Sequence, residues 1–465
     1  MAMTYDLAIT GGKLVCGSAV KLGDIGIRGG EIVDISDPGE LPGGAIRTID
    51  AEDNLVMPGL VDLHVHLAEE DSGEQGHGML ARAGVTTALD LTGPTEETVR
   101  LAATHGAGLN IAVVEAIRPE KHLPLRPTPG QIRDALSRIL AAGAIGVKLH
   151  IDAGWGPDET AAIIAEAAKQ QLWIALHCGT TASASDLTGL EEGLRLADGA
   201  RVQIAHVNSY CRGDIADPVR EAERAIELLR AAPNAVGESY LDRFNATSGH
   251  CIDGEPVNRR LRGWLERAGF EPTERGVVRA IRADWAGVVV QGDEVTGLVS
   301  GEAGVAHYRA AGTQTLLCLP VNPAASRVLL AASKSATGAF DVPALATDGG
   351  GIPRNTTLSA GLALVELGFL TLPELVQKAS TTPAGLLGLQ NKGTLSDGAD
   401  ADVTIVDART RAVSATIAGG RIVYSAGQTL RETSRLLTTR AEACGWAGPK
   451  TALELASSGL ISGQW

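Results

Sequence analysis

Hydrophobic positions along the chain follow two rhythms. Over residues 5–47 apolar and polar side chains alternate in short runs set off by glycine, as in Asp6-Leu-Ala-Ile-Thr10, Asp24-Ile-Gly-Ile-Arg28 and Glu31-Ile-Val-Asp-Ile35. A period of two puts successive side chains on opposite faces, so these runs read as antiparallel strands. The rhythm returns in Ala401-Asp-Val-Thr-Ile-Val406, Ala415-Thr-Ile417 and Arg421-Ile-Val-Tyr424. Residues 1–57 and 386–432 therefore predict one small β-sandwich-like domain built from both termini.

Between them, continuous apolar runs alternate with helical patterns, the signature of βα units around a parallel sheet. The predicted strands are 60–67, 86–91, 110–116, 144–150, 172–178, 202–207, 235–241 and 345–348. Eight such units close a TIM (β/α)8 barrel, here spanning 58–385, and the fold class is α/β. Thr128-Pro129-Gly130 and Pro157-Asp158-Glu159 open two of the helices, and residues 218–231 form an Ala/Glu/Arg-rich amphipath. The spacing breaks between strands seven and eight, where about a hundred residues replace a short connection. This insertion, 242–344, is read either as a lid or as an oligomer contact. It contains a hairpin, 287–291 and 294–299, around a Gly292-Asp293 turn. Residues 433–465 read as a helical tail without a chemical motif.

Composition narrows the class. With 44% hydrophobic and 20% charged residues the 465-residue chain can bury a large core, and 57 glycines with 3% aromatics imply that small side chains fill much of it. A net charge of −15 argues against a polyanion-binding surface, so neither nucleic acid nor an anionic membrane is an expected partner. Six scattered cysteines without a CxxC pair, no secretory h-region and no apolar stretch of roughly 18 residues point to a cytoplasmic protein. A homo-oligomer is expected, its symmetry open.

The chemistry gathers at strand ends. In Leu60-Val-Asp-Leu-His64-Val-His66 the two histidines point the same way, ~6–7 Å apart, and can grip one metal. Lys148 lies in Gly146-Val-Lys-Leu-His150, His177 ends Trp173-Ile-Ala-Leu-His177, His206 ends Gln203-Ile-Ala-His206, and Asp348 closes Leu345-Ala-Thr-Asp348 before three glycines. Each polar group falls at the C-terminal end of a barrel strand, where TIM-barrel active sites are built. A lysine inside an apolar strand is costly as an ammonium, and burial favours the neutral amine that reacts with carbon dioxide to give an anionic carbamate.

This constellation resembles the amidohydrolase superfamily, in particular its binuclear branch of hydantoinase, dihydroorotase and the urease catalytic subunit. The likeness runs from Val56-Met-Pro-Gly-Leu-Val-Asp-Leu-His-Val-His to Gly393-Thr-Leu-Ser-Asp-Gly-Ala-Asp-Ala-Asp-Val, and residues 143–156 match urease most closely. The resemblance implies two divalent metal ions, zinc by family expectation. His64 and His66 would hold one, His177 and His206 the other, carbamylated Lys148 would bridge them, and Asp348 would serve as ligand and acid/base. His150, on the same strand face as Lys148, would donate a hydrogen bond to the substrate carbonyl. The implied activity is cleavage of a C–N amide bond in a small molecule, by a metal-bridging hydroxide. The substrate classes are an N-acyl or N-carbamoyl amino acid, a cyclic amide or a ureido compound. Leu67-Ala-Glu-Glu follows the histidine pair where dihydroorotases have arginine, which argues against dihydroorotate.

Asn208, Tyr210, Tyr240, Arg243 and Arg354 are candidate substrate contacts, the arginines because a guanidinium fork suits a carboxylate. His250, in Ser248-Gly-His-Cys-Ile-Asp253, bears a local likeness to the mobile flap of urease. Two alternatives stand. A mononuclear deaminase-like hydrolase would need a glutamate after the third histidine strand, which Ala205-His206-Val207 does not offer. A non-catalytic scaffold of this fold would not need the full set of ligand types.

Overall fold

The computed structural model describes residues 5–68, 73–180, 185–442, 444 and 446–463. Eight parallel strands close on themselves: β1 (Leu60–His66), β2 (Val85–Asp90), β3 (Asn110–Ile117), β4 (Gly146–His150), β5 (Trp173–His177), β6 (Val202–Ile204), β7 (Ala235–Tyr240) and β8. The last is interrupted, Ala344–Ala346 pairing with β7 and Gly349–Gly350 with β1, and this double pairing shuts the TIM barrel. Helices follow on the outside, opened by the devices visible in the sequence. Thr128 caps Pro129–Ala142 through a reciprocal capping box with Gln131, and proline begins both Pro157–Lys169 and Pro218–Ala231.

Inside the ring, Val61, Leu63, Leu89, Ala112, Val114, Trp173, Ala175, Val236 and Ala344 form the buried layer. Gln203 is the polar tie through it: its side chain accepts from Trp173 Nε1 at 2.8 Å and donates to the Leu63 carbonyl at 3.0 Å, linking β1, β5 and β6 across the interior. Close approach at β4 requires glycine, since a Cβ on Gly146 would stand 1.9 Å from the Trp173 carbonyl oxygen.

A second, mainly antiparallel sheet joins strands from the two ends of the chain. Its long first strand, Tyr5–Cys16, bulges between Ile9 and Gly12. Its first half pairs with Ala45–Asp50 and its second with Asn54–Pro58, so the sheet folds over a core including Leu7, Ile9, Leu14, Ile25, Val56, Val403 and Ile417. Asn54–Pro58 in turn pairs with Val403–Asp407, which links the two termini.

The connection between β7 and β8 is a folded unit. Four antiparallel strands and the helices Arg259–Arg267, Glu274–Arg282 and Gly301–Ala310 enclose their own core, with Leu261, Trp264, Leu265, Val277, Ile281 and Tyr308 at its centre. Its hairpin pairs Gly287–Gln291 with Thr296–Val299. The loop is therefore four residues, 292–295, and not the two-residue turn expected. Gly292 N–H donates to the Val295 carbonyl at 3.0 Å across this loop, and the buried Thr296 N–H meets Met79 Sδ at 3.2 Å.

The segment after 432, expected to be helical, differs more. Arg435–Thr438 adds in parallel to the start of β3 and pairs with Lys450–Ala452, leaving only short helical turns at Leu455–Ser457 and Gly459–Ser462. The cause is an open hydrogen-bonding position beside Asn110–Ala112, filled by a strand whose Leu437 packs under the barrel. Among the described residues no helix is long and apolar enough to cross a membrane.

Candidate active site

The strand ends deliver their polar groups to one cavity of about 670 Å³. His64 and His66 leave β1 side by side, their rings 5.4 Å apart. Asp348 faces them from the break in β8, where it adopts a left-handed φ of 51° and donates its N–H to the His64 carbonyl at 2.9 Å. A strained backbone at a strand break is tolerated where the surroundings over-determine it. Here Arg354 does so, its guanidinium bonded to the Asp348 backbone oxygen and to Oδ2 at 2.7 Å. His206, which follows β6, shares the left-handed conformation, with φ of 39°.

Asp348 Oδ1 lies 2.8 Å from His66 Nε2 and 3.2 Å from His64 Nε2, and Lys148 Nζ lies 3.1 Å from the same His64 nitrogen. The far nitrogens are engaged elsewhere: His64 Nδ1–H donates to Glu238 Oε1 at 2.7 Å, and His66 Nδ1 pairs with Thr92 Oγ1 at 2.8 Å. Both histidines thus turn Nε2 toward the Asp348 carboxylate, so imidazole and carboxylate groups that can serve as metal ligands converge on one point. The three donors fall within 4.8 Å of one another.

A second group lies beside the first. His150, Asp152 and His177 also bring their donor atoms within 4.8 Å of one another. The rings of His150 and His177 stack at 4.3 Å, and His177 Nδ1 meets His206 Nε2 at 2.9 Å. On its other side His177 Nε2 contacts Ser185 Oγ at 2.8 Å and the Arg260 guanidinium at 3.4 Å. His206 Nδ1 is buried without a partner among the described residues. Two adjoining sets of imidazole and carboxylate donors, one with an orphaned ring nitrogen, fit a pair of divalent cations.

Electrostatics point the same way. Burial first, then the charge of Lys148, holds His64 and His150 well below the usual imidazole range; burial and the neighbouring His150 do so for His177. Burial brings His206 down to about 3. Neutral imidazole is the form that binds metal. Burial pulls Asp348 upward, but Arg354 and the imidazoles outweigh it and keep the carboxyl well below its ordinary range.

All six residues expected at the metal centre, His64, His66, Lys148, His177, His206 and Asp348, meet here, as does His150. The expected substrate contacts divide. Arg354 lines the cavity. Asn208 instead accepts from Ser239 Oγ and from Tyr240 N at 3.0 Å; the Tyr210 hydroxyl accepts from Cys178 N; and Tyr240 is buried behind Arg212. These three brace the loops after β5, β6 and β7. Arg243 packs on Phe244 in a separate cleft, and His250 pairs with Thr313 within the inserted unit, so neither reaches the site. Loop arginines and histidines carry no periodicity that fixes their direction.

Other residues at the site carry weaker signals in the sequence. Glu238 Oε1 accepts from both His64 Nδ1–H and the His206 backbone N–H, the latter at 2.6 Å. Its signal is an acid in the middle of an otherwise uncharged strand. Asp152, Arg212 and Arg260 also line the cavity. The insertion supplies one wall through Asn245, Thr247, Arg260 and Trp264.

Comparisons with known proteins agree with this fold. Residues 55–209 match the model of the Amidohydrolase family. A dihydroorotase from Elusimicrobium minutum is 24% identical over 432 residues, covering 83% of this chain and 84% of that protein. Among solved structures, the N-acyl-D-glutamate deacylase of Bordetella bronchiseptica, complexed with zinc and a phosphonate inhibitor, superposes with a TM-score of 0.66 at 16% identity. That match covers 93% of this chain and 99% of the deacylase. The L-hydantoinase of Arthrobacter aurescens gives 0.55 at 17% identity, covering 93% and 99%.

Proposed function

We propose that the chain, whose residues 55–209 match the Amidohydrolase family, is a metal-dependent hydrolase of a C–N amide bond in a small molecule: an N-acyl or N-carbamoyl amino acid, a cyclic amide or a ureido compound. The observation that carries this reading is the convergence of two donor groups, His64–His66–Asp348 and His150–Asp152–His177 with His206, around Lys148 in one cavity.

His64, His66 and Asp348 would hold one divalent cation and His177 and His206 the other, with Lys148, carboxylated on Nζ, between them; zinc is the expected metal. Such cations supply a Lewis-acid field that polarises a carbonyl and acidifies water. The remaining work falls to side chains. Asp348, kept ionised by Arg354, takes a proton from the attacking water and passes it to the leaving nitrogen. Neutral His150, ring-stacked on His177 within the cavity, donates a hydrogen bond to the substrate carbonyl. Glu238 fixes the His64 tautomer.

The test is metal content together with turnover. Purified, metal-replete protein should hold close to two divalent ions per chain and release amine or acid from a panel of N-acyl amino acids, hydantoins, lactams and ureas. Lys148→Ala should abolish that release, and full activity in this variant would overturn the assignment.

A further inference from the structure

Among the described residues five arginines line the cavity, Arg118, Arg212, Arg259, Arg260 and Arg354, against two carboxylates, Asp152 and Asp348. In a chain with a net charge of −15 this local excess of positive charge runs against composition. Most of it has an evident counterweight. Arg354 is paired with Asp348 and Arg260 with Asp152, while Arg118 and Arg259 are exposed to water.

Arg212 is different. It is 6% exposed, and every hydrogen-bond partner it has is neutral: Nε donates to Asn322 Oδ1 at 2.8 Å, and Nη2 to Ser209 Oγ at 2.9 Å, Asn245 Oδ1 at 2.7 Å and the Tyr240 hydroxyl at 3.3 Å. The guanidinium also lies over the Trp264 ring at 5.2 Å. These contacts fix its plane and satisfy Nε and Nη2 without neutralising it, and among the described residues no carboxylate touches it and Nη1 has no partner. A buried cation with no counter-charge is costly to hold. The cost is offset when a ligand brings the anion.

We propose that Arg212 docks a carboxylate of the substrate, away from the C–N bond that is cleaved, and that the insertion completes this subsite. The assignment rests on the amide-hydrolase reading above and narrows it to acidic substrates. Arg212 comes from the loop after β6, whereas Asn245, Trp264 and Asn322, which orient it, come from the connection between β7 and β8. The anion site therefore exists only where the inserted unit closes over the barrel mouth. Asn245 and Trp264 share the cavity wall with Arg212, so a carboxylate on Nη1 remains in the same chamber as the histidines.

The experiment is calorimetric titration of the metal-loaded full chain with succinate, with its diamide succinamide and with inorganic phosphate, in wild type, Arg212→Met and Arg212→Lys. Wild type should prefer succinate to succinamide by at least tenfold. Arg212→Met should lose that preference while binding succinamide as before. Arg212→Lys, which keeps the charge should the methionine variant fail to fold, should bind succinate at least fivefold more weakly than wild type and succinamide equally. Unchanged succinate affinity in a folded Arg212 variant, or no preference in wild type, would overturn the proposal. Loss of phosphate binding alone would replace the carboxylate by a tetrahedral oxyanion and overturn it equally. The measurement needs no turnover. Amide hydrolysis without an Arg212-dependent preference sinks the subsite alone, and an Arg212-dependent preference without hydrolysis of any amide sinks the hydrolase reading alone.

Discussion

Glu238 offers the sharpest test of how the site is held. A single oxygen, Oε1, accepts from His64 Nδ1–H at 2.7 Å and from the His206 backbone N–H at 2.6 Å, so one carboxylate fixes the tautomer of a ligand on β1 and the position of the loop that carries a ligand after β6. Glu238→Ala leaves two buried donors without an acceptor, at about 1–3 kcal/mol each, and frees the His64 ring to turn. The loss of an outer partner of a metal-binding histidine lowers metal affinity by roughly 10–100-fold, or about 1.4–2.8 kcal/mol.

Glu238→Gln separates the two effects. The amide oxygen can keep both bonds, and because burial holds the Glu238 carboxyl well above its ordinary range little charge is lost, so glutamine should lower metal affinity by no more than about fivefold. The assay is competition for metal against a graded chelator, with bound metal measured on the dialysed protein and folding followed by denaturant titration. The expected order of affinity is wild type, glutamine, alanine. Wild-type affinity in a folded alanine variant would refute the reasoning and leave Glu238 as a strut within the barrel.

Other expectations follow from residues outside the site. Lys378 is fully buried, donates to the Val342 carbonyl and lies 4.2 Å from the Phe340 ring centroid, and burial lowers it from 10.5 to about 7. Below pH ~7 both states are protonated and the penalty is complete; between the folded and unfolded values the unfolded chain alone holds the proton, so stability rises with pH by roughly 3–5 kcal/mol. Lys378→Met should therefore be more stable than wild type at pH 6, with the gap closing toward pH 10.5, and a gap independent of pH in denaturant titrations would disprove the assignment. Gly146→Ala should destabilise by about 1–3 kcal/mol, because the added Cβ would stand 1.9 Å from the Trp173 carbonyl oxygen. An unshifted denaturation midpoint would show that β4 and β5 can part without cost.

What can be read from the chain follows from how position is encoded in it. Barrel strands announce themselves by runs of branched apolar residues, and a strand's polar terminal residue must face the mouth, so the amino-acid pattern alone assigns His64, His66, Lys148, His177, His206 and Asp348 to one place. Arg212, Arg260 and Asp152 lie in loops or in the insertion, where direction is set by tertiary contact. Arg260 reaches Asp152 from the start of a helix that Asn258 caps, accepting from Arg260 N at 2.9 Å, and Asn258 is itself tied to Thr247. The tail departs from its expected helix for a related reason. Leu436 and Leu437 suit a helix or a strand equally, and the open edge beside Asn110–Ala112 decides between them.

The same division explains how the molecule can combine a fixed centre with an adaptable pocket. Every proposed metal ligand sits on or just beyond a strand of a closed sheet, whose interior is tied together by Gln203, Asp62 and Glu238. Asp62, for instance, takes the Thr347 hydroxyl at 2.6 Å and so joins β1 to β8 immediately before Asp348. The wall that meets the substrate comes instead from a unit with its own sheet and core. Its ties to the ligand shell are polar: Arg260 to Asp152 and His177, and Asn245 and Asn322 to Arg212. Substitutions along that wall can alter which acid group is recognised while leaving the histidines seated. Changes to the buried acids at the strand seams act on the ligands first.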